Sequence, residues 1–368
     1  MHPAKTVLAI AVIGGLALSA GPLKAADDSA VEALKAEVAG SGWIVFAAHP
    51  AEIDGGAIIE NKAQRGPLGL YLSRPDGSQL RRLAGTDLWN EFGGRFSPDG
   101  KKLLYRRMPK DATINHDLWG ETGELVVAEA DGSGPVVQGK AGEFPWASFS
   151  PDMKQIACLY KRDQAIRIFD GANKTLIQEI PAQGIFQQMF WSPDGKRLVG
   201  TANVAGRKWN VVCIEIATGK LTLLTRALNC TPDWFQSDVE RVIYSNRNPA
   251  LFPGEYDNYG LTMLMWALAD GKTRRLIYGN AGKHCYFGCT SPDDKYVVFS
   301  DDAHDSFVVG NMHVIRMADT PIIPEGIKKI RLLHPGWKEG PVLDLKLPSG
   351  IPLRGFEPHW THAELGGR

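Results

Sequence analysis

The fold this sequence predicts is all-β, a six-bladed β-propeller of four-stranded blades, and three observations predict it. A turn motif recurs along the chain, each copy leads into a hydrophobic strand, and the chain ends on an unmatched half of the same unit. The clear copies are "FSPDGKKLLY" (96–105), "FSPDMKQIACLY" (149–160), "WSPDGKRLVG" (191–200) and "TSPDDKYVVF" (290–299). Their serines lie 53, 42 and 99 residues apart, and a degenerate copy, "PDWFQSDVERVIY" (232–244), falls inside the longest interval. The unit is therefore roughly 40 to 55 residues, the period of one four-stranded blade.

Ser-Pro-Asp-Gly is turn chemistry. Pro presets φ for the second turn position, Asp bonds nearby backbone, and Gly accepts positive φ without a Cβ penalty. The run of Val, Ile, Leu and Tyr that follows reads as a buried strand. A second turn bends most units downstream, as in "GLYLSRPDGSQLRRL" (69–83), "LVVAEADGSGPVV" (125–137), "VVCIEIATGKLTLL" (211–224) and "LMWALADGKTRRLI" (264–277). Each unit thus holds four strands. One such sheet cannot bury both faces alone, whereas radial stacking buries them against neighbours.

Six second strands are predicted, at Trp43–Ala48, Lys102–Met108, Lys154–Lys161, Lys196–Asn203, Arg241–Asn248 and Lys295–Asp302, but only five follow an inner strand. "GWIVFAA" is preceded by a short helical stretch, Ser29–Val38, with Val31, Leu34 and Val38 on one face. The missing inner strand is expected at 355–362, where His359-Trp360-Thr361 aligns with the aromatic-Ser approach to the turn. The two ends of the chain then pair to close the ring over residues 42–362, leaving 27–41 as a helical lead-in and 363–368 as a tail.

With these residues in view, the repeats resemble the TolB-type, WD40-like (PD40) propeller repeat, whose core is aromatic-Ser-Pro-Asp-Gly-Lys followed by a hydrophobic strand. Residues 96–105 and 191–200 match closely, 149–160 and 290–299 well, and 232–244 poorly. The resemblance implies six blades and periplasmic export. TolB also carries an α/β domain before its propeller, which this chain is expected to lack.

Composition sets the surroundings. Residues 1–26 read as a secretory signal: Lys5, an apolar run from Thr6 to Ala20, a Gly21-Pro22 break, then small residues at Ala25 and Ala26. Its removal turns 41 basic and 41 acidic residues into 39 and 41, a balance that suggests neither nucleic acid nor an anionic membrane as partner. The first cysteine, Cys158, is far from any cleavage site, so no lipoprotein anchor is expected. A periplasmic or secreted monomer with a protein or glycan ligand is the expectation. The five cysteines are expected to be small buried core residues, at least one of them free or paired between chains.

Function in a propeller gathers where loops surround the mouth of the axial channel. The segments leading into the inner strands carry Asn90-Glu91, Glu143, Gln187-Gln188, Asn229, His284 and Glu357. They read either as the polar rim of a wet channel or as converging groups of a ligand or cation site. Four loops between second and third strands are long: 49–67, 109–122, 246–260 and 301–311. They hold His49, His116, Asp117, Trp119, Arg247, Tyr256, Asp257 and His304, aromatic and polar groups of the kind that bind sugars.

A divalent cation is a further expectation, with His116, His284, His304 and His359 as suppliers of nitrogen, although no His-x-His or His-Glu-x-x-His pair is present. Two functions follow. One is an exported binding propeller with its site on the long-loop face. The other is a carbohydrate-active enzyme, a metal-assisted lyase or hydrolase, with Glu91, Glu357 or His116 exchanging the proton. No Gly-x-Ser-x-Gly elbow and no Walker-type loop occurs.

Overall fold

The computed structural model describes residues 28–56, 66–84, 88–112, 120–226, 228–247, 262–280, 283–302, 309–322 and 340–365. Four four-stranded antiparallel sheets stand alone, and eight further strands form one continuous sheet. That larger sheet divides into two arrays of four, joined only by the pairs Gly310 with Gly355 and Asn311 with Arg354. The β-propeller is thus made of six four-stranded arrays, two of them fused at this short ladder.

Blade one has its inner strand at Arg354–Thr361, from the end of the chain, followed outward by Trp43–Ala48, Gly69–Ser73 and Arg81–Ala84. The inner strands of blades two to six are Trp89–Phe96, Ser148–Phe149, Ile185–Trp191, Asn229–Trp234 and His284–Thr290. Second strands observed at Lys102–Pro109, Gln155–Tyr160, Arg197–Val204, Arg241–Asn246 and Tyr296–Asp302 lie within two residues of those predicted.

Closure is antiparallel: Trp43 faces Thr361, Ile44 faces Trp360 and Val45 faces His359. Trp360 is fully buried, donates its indole N–H to the Ser41 carbonyl at 2.7 Å, and stacks on Tyr296 of blade six. The helix Asp28–Val38 lies over the same seam, with Leu34 and Val38 in the cluster that contains Trp360, Val298 and Leu343. Glu37 adds an ion pair to Arg316 at 2.7 Å.

The turns form as their chemistry dictates. Ser97 Oγ donates to Asp99 Oδ1 at 2.6 Å and accepts from the Lys102 N–H at 2.9 Å, while Asp99 accepts from the Lys101 N–H at 3.1 Å. The same three bonds recur around Ser150, Ser192 and Ser291. Blade five, which lost the motif, is held differently. Asp294 of blade six accepts from the Gln236 N–H at 2.8 Å and from both the N–H and hydroxyl of Ser237, at 3.1 and 2.6 Å.

All five cysteines are buried and unpaired in disulfides, and burial pushes the thiols of Cys158, Cys213 and Cys289 up to about 12. No helix among the described residues is long and apolar enough to cross a membrane.

Because the last strand completes the first blade, truncation before Gly355 is expected to leave no cooperative thermal transition. Trp360→Ala, which empties a fully buried aromatic site, is expected to cost about 3–5 kcal/mol. A soluble truncate melting like the intact chain in calorimetry would refute the closure.

Candidate functional site

Each blade carries one residue in the left-handed region, in or just before its inner strand and at the same place relative to the turn. Counted from the residue that occupies the serine position of the turn, it lies four residues earlier: Gly93, Trp146, Gln188, Thr231, Phe287 and Glu357, with φ between 48° and 65°. Five of the six are not glycine, a conformation that costs on the order of 1 kcal/mol or more for each such residue. The register of most inner strands shifts here, as in a β-bulge.

All six of these residues, and the six that follow them, line one pocket on the axis. Its empty space, counted together with the solvent-open space at its mouth, is about 760 Å³. Phe92, Trp146, Phe190 and Phe287 supply aromatic wall; Arg95, Arg106, Gln188, Asp233 and Glu357 supply polar groups. A second pocket lies toward the turns, lined by Ser97, Trp191, Gln236 and His359 among others.

The two pockets share Arg95, Leu104, Phe190 and Asp233, which mark the partition between them. Arg95 of blade two donates to the carboxylate of Asp233 in blade five, diametrically opposite in the ring. The Arg95 guanidinium also lies 3.8 Å from the Phe190 ring centre. Burial raises the pKa of Asp233, and Arg95 opposes that effect. The second oxygen of Asp233 accepts from the Trp234 N–H at 2.8 Å.

Glu357 stands on the pocket wall. Its side chain is partly open to the channel, yet protein encloses that space, and burial pushes its carboxyl up to about 8 against the pull of Arg95 and Arg106. The backbone of Gly93 also supports the ionised form, and a Cβ at Gly93 would stand 3.3 Å from Glu357 Oε2, so glycine leaves room for this approach. Arg106, from the second strand of blade two, is buried and donates to the Phe144 carbonyl. Burial pulls its pKa down to about 10.

Of the residues expected at the rim, Glu357 and Gln188 belong to this ring, and the others do not line the pocket. Asn90 is occupied structurally: it accepts from the Leu68 N–H at 2.9 Å and donates to the carbonyls of Pro109 and Lys110. Glu91 is buried between blades one and two, and burial raises its pKa to about 7 despite Arg82 and Arg107. Glu143 is exposed and folds back to accept from the Lys140 N–H at 2.7 Å, so it closes its own turn away from the axis. Gln187 is fully buried and does not line the pocket, and Asn229 accepts from Asn246 at 2.6 Å.

His284 contacts Thr262 Oγ1 at 2.8 Å and stacks parallel to Tyr286 at 6.4 Å. Arg247 lies over the rings of Trp209, at 5.1 Å, and Tyr286, at 5.8 Å. His359 faces the turn-side pocket, and its Nδ1 accepts from the Phe96 N–H at 3.2 Å. Burial, then Arg95, holds the ring neutral, with its pKa well below the usual range, so Nε2 carries the hydrogen and no lone pair is left for a metal. His116, Trp119, Tyr256, Asp257 and His304 lie outside the described residues. Among the described residues, no three His, Cys, Asp or Glu side chains are grouped as a metal site requires.

Comparison with solved structures supports the fold. TolB from Acinetobacter baumannii superposes with a TM-score of 0.58 at 15% identity, covering 88% of this chain and 67% of that one. The fold is that of TolB-type propellers. A putative TolB from Agrobacterium tumefaciens gives 0.51 at 16% identity, covering 85% and 97%. An oligogalacturonate lyase in complex with manganese scores only 0.41 at 14% identity over 60% of this chain and 61% of that one, too remote to bear on chemistry. No family model matches the chain, and no curated protein matches it.

The raised carboxyls predict a pH profile. Between about pH 5 and 8 the folded protein keeps protons on Glu91 and Glu357 that the unfolded chain releases, so stability falls as pH rises through this window. His313, raised to about 9 between Asp301 and Asp344, adds a loss of the same sign from about pH 6.5 upward. Melting temperatures of wild type and Glu91→Gln/Glu357→Gln, compared across this range, are therefore expected to converge at low pH. The variant should become the more stable at pH 8; parallel curves would contradict it.

Proposed function

We propose that the protein is a binding propeller that takes a protein segment or glycan at the loop-side mouth of its axial channel. The observation that carries this reading is the ring of left-handed residues. Five blades hold a non-glycine residue in a disfavoured backbone conformation, at one level with Gly93 of the sixth, and that level is the wall of the pocket. Aromatic faces among a few polar groups make a surface suited to a peptide side chain or a sugar ring. Export to the periplasm or beyond, with residues 1–26 as its signal, is part of the proposal.

A second reading is favoured by one observation: Glu357 holds its proton near neutral pH in an enclosed pocket, as a general acid does. In that case the protein acts on carbohydrate, and Glu357→Gln should abolish turnover of a responsive glycan while leaving its binding within a few-fold. Equal turnover by wild type and variant would exclude the role.

For the binding reading, a panel of peptides and glycan fragments is titrated by ligand-observed NMR against wild type, Trp146→Ala and Phe190→Ala. Ligands found with wild type are expected to weaken by about tenfold or more in both variants, since each removes an aromatic contact. Unchanged binding in both would place the site elsewhere and overturn the proposal.

A further inference from the structure

We infer that the axial pocket is built to hold a carboxylate of its ligand, an inference that rests on the mouth being the binding site. Hydrogen-bond donors without partners belong to residues that line this pocket. Gln188 is only 3% exposed, and its Oε1 accepts from the Thr231 N–H at 3.0 Å and the Thr201 hydroxyl at 2.9 Å. A backbone amide can only donate, so the orientation of the Gln188 amide is fixed and its Nε2 is a donor. That Nε2 has no partner.

Trp146, also on the wall, leaves its indole N–H unpartnered. Arg106 donates to the Phe144 carbonyl but has no ion-pair partner among the described residues, whereas the charge of Arg95 is met by Asp233. Glu357 faces the same space without coming within ion-pair distance of either arginine, and the Gly93 backbone supports it.

An indole N–H, an amide N–H and a guanidinium without a counter-ion are matched by a group that only accepts and that carries negative charge. A buried donor left without a partner is destabilising, and a charged acceptor makes the stronger bond in a water-poor site. A hydroxyl or neutral amide would leave the Arg106 charge unmet. The aromatic walls of Trp146, Phe190 and Phe287 then hold the body of the guest.

Two sources offer this chemistry, the carboxylate of an amino-acid chain end and that of a uronic sugar, and the test separates them. Isothermal titration compares N-acetylphenylalanine with its primary amide, and glucuronate with glucose, on the full chain. At least one acid is expected to bind about tenfold tighter than its neutral counterpart, and the pair that shows the preference identifies the source.

Gln188→Glu keeps an oxygen for the Thr231 N–H while replacing the free donor with a like charge, and is expected to abolish the preference. Arg106→Met should reduce it. Thermal melts establish that each variant is folded, and Gln188→Glu, nearly isosteric, carries the test if Arg106→Met is not. Equal binding of acid and neutral probes, both weakened by Phe190→Ala, would overturn the carboxylate inference and leave the mouth as the site. A preference that survives Gln188→Glu would also overturn it. If no probe binds, both readings fall.

Discussion

The left-handed residue at one level of every blade is the constraint on which the rest of the molecule depends. A bulge at this point shifts the register between inner and second strand and presents a chosen residue to the axis. It occurs whether the residue is Gly, Thr, Gln, Glu, Phe or Trp, so the conformation is imposed by the blade and not by local preference. What the side chain does is then free to vary. Trp146 and Phe287 provide wall, Gln188 and Glu357 provide polar groups, and Gly93 leaves room for Glu357 of the adjacent blade.

Beneath that level the channel is closed by the Arg95–Asp233 contact, and beyond it lie the turns. The three levels have different chemistry because they have different tasks. The turn level repeats one set of Ser–Asp–backbone bonds in blades two, three, four and six. The partition uses one ion pair and one cation–π contact. The upper level alone is different in all six blades.

Much of the architecture was legible in the sequence, because turn chemistry is local. Ser97, Ser150, Ser192 and Ser291 announce their hairpins without help from the rest of the fold, and the unmatched His359-Trp360-Thr361 announces the closure. The site was less legible. A bulge adds a residue to a strand, so the polar residue that opens a segment, such as Asn90 or Glu143, is not the one that reaches the axis. Counting back four places from the turn serine would have found Trp146 and Phe287 as well as Gln188 and Glu357. No sequence pattern announces Arg106, which reaches the pocket from a second strand, or Asp294, which supplies the turn that blade five has lost.

The Arg95–Asp233 pair also bears on how the ring deforms. It spans one diameter of a six-membered ring, from blade two to blade five, and works as a spoke that keeps those blades from separating. The diameters from blade one to four and from three to six carry no such brace among the described residues. A ring tied along one diameter widens only across it, into an oval. The opening above the tie is therefore directional, and a flat guest such as an aromatic or sugar ring would be admitted in one orientation in preference to the other.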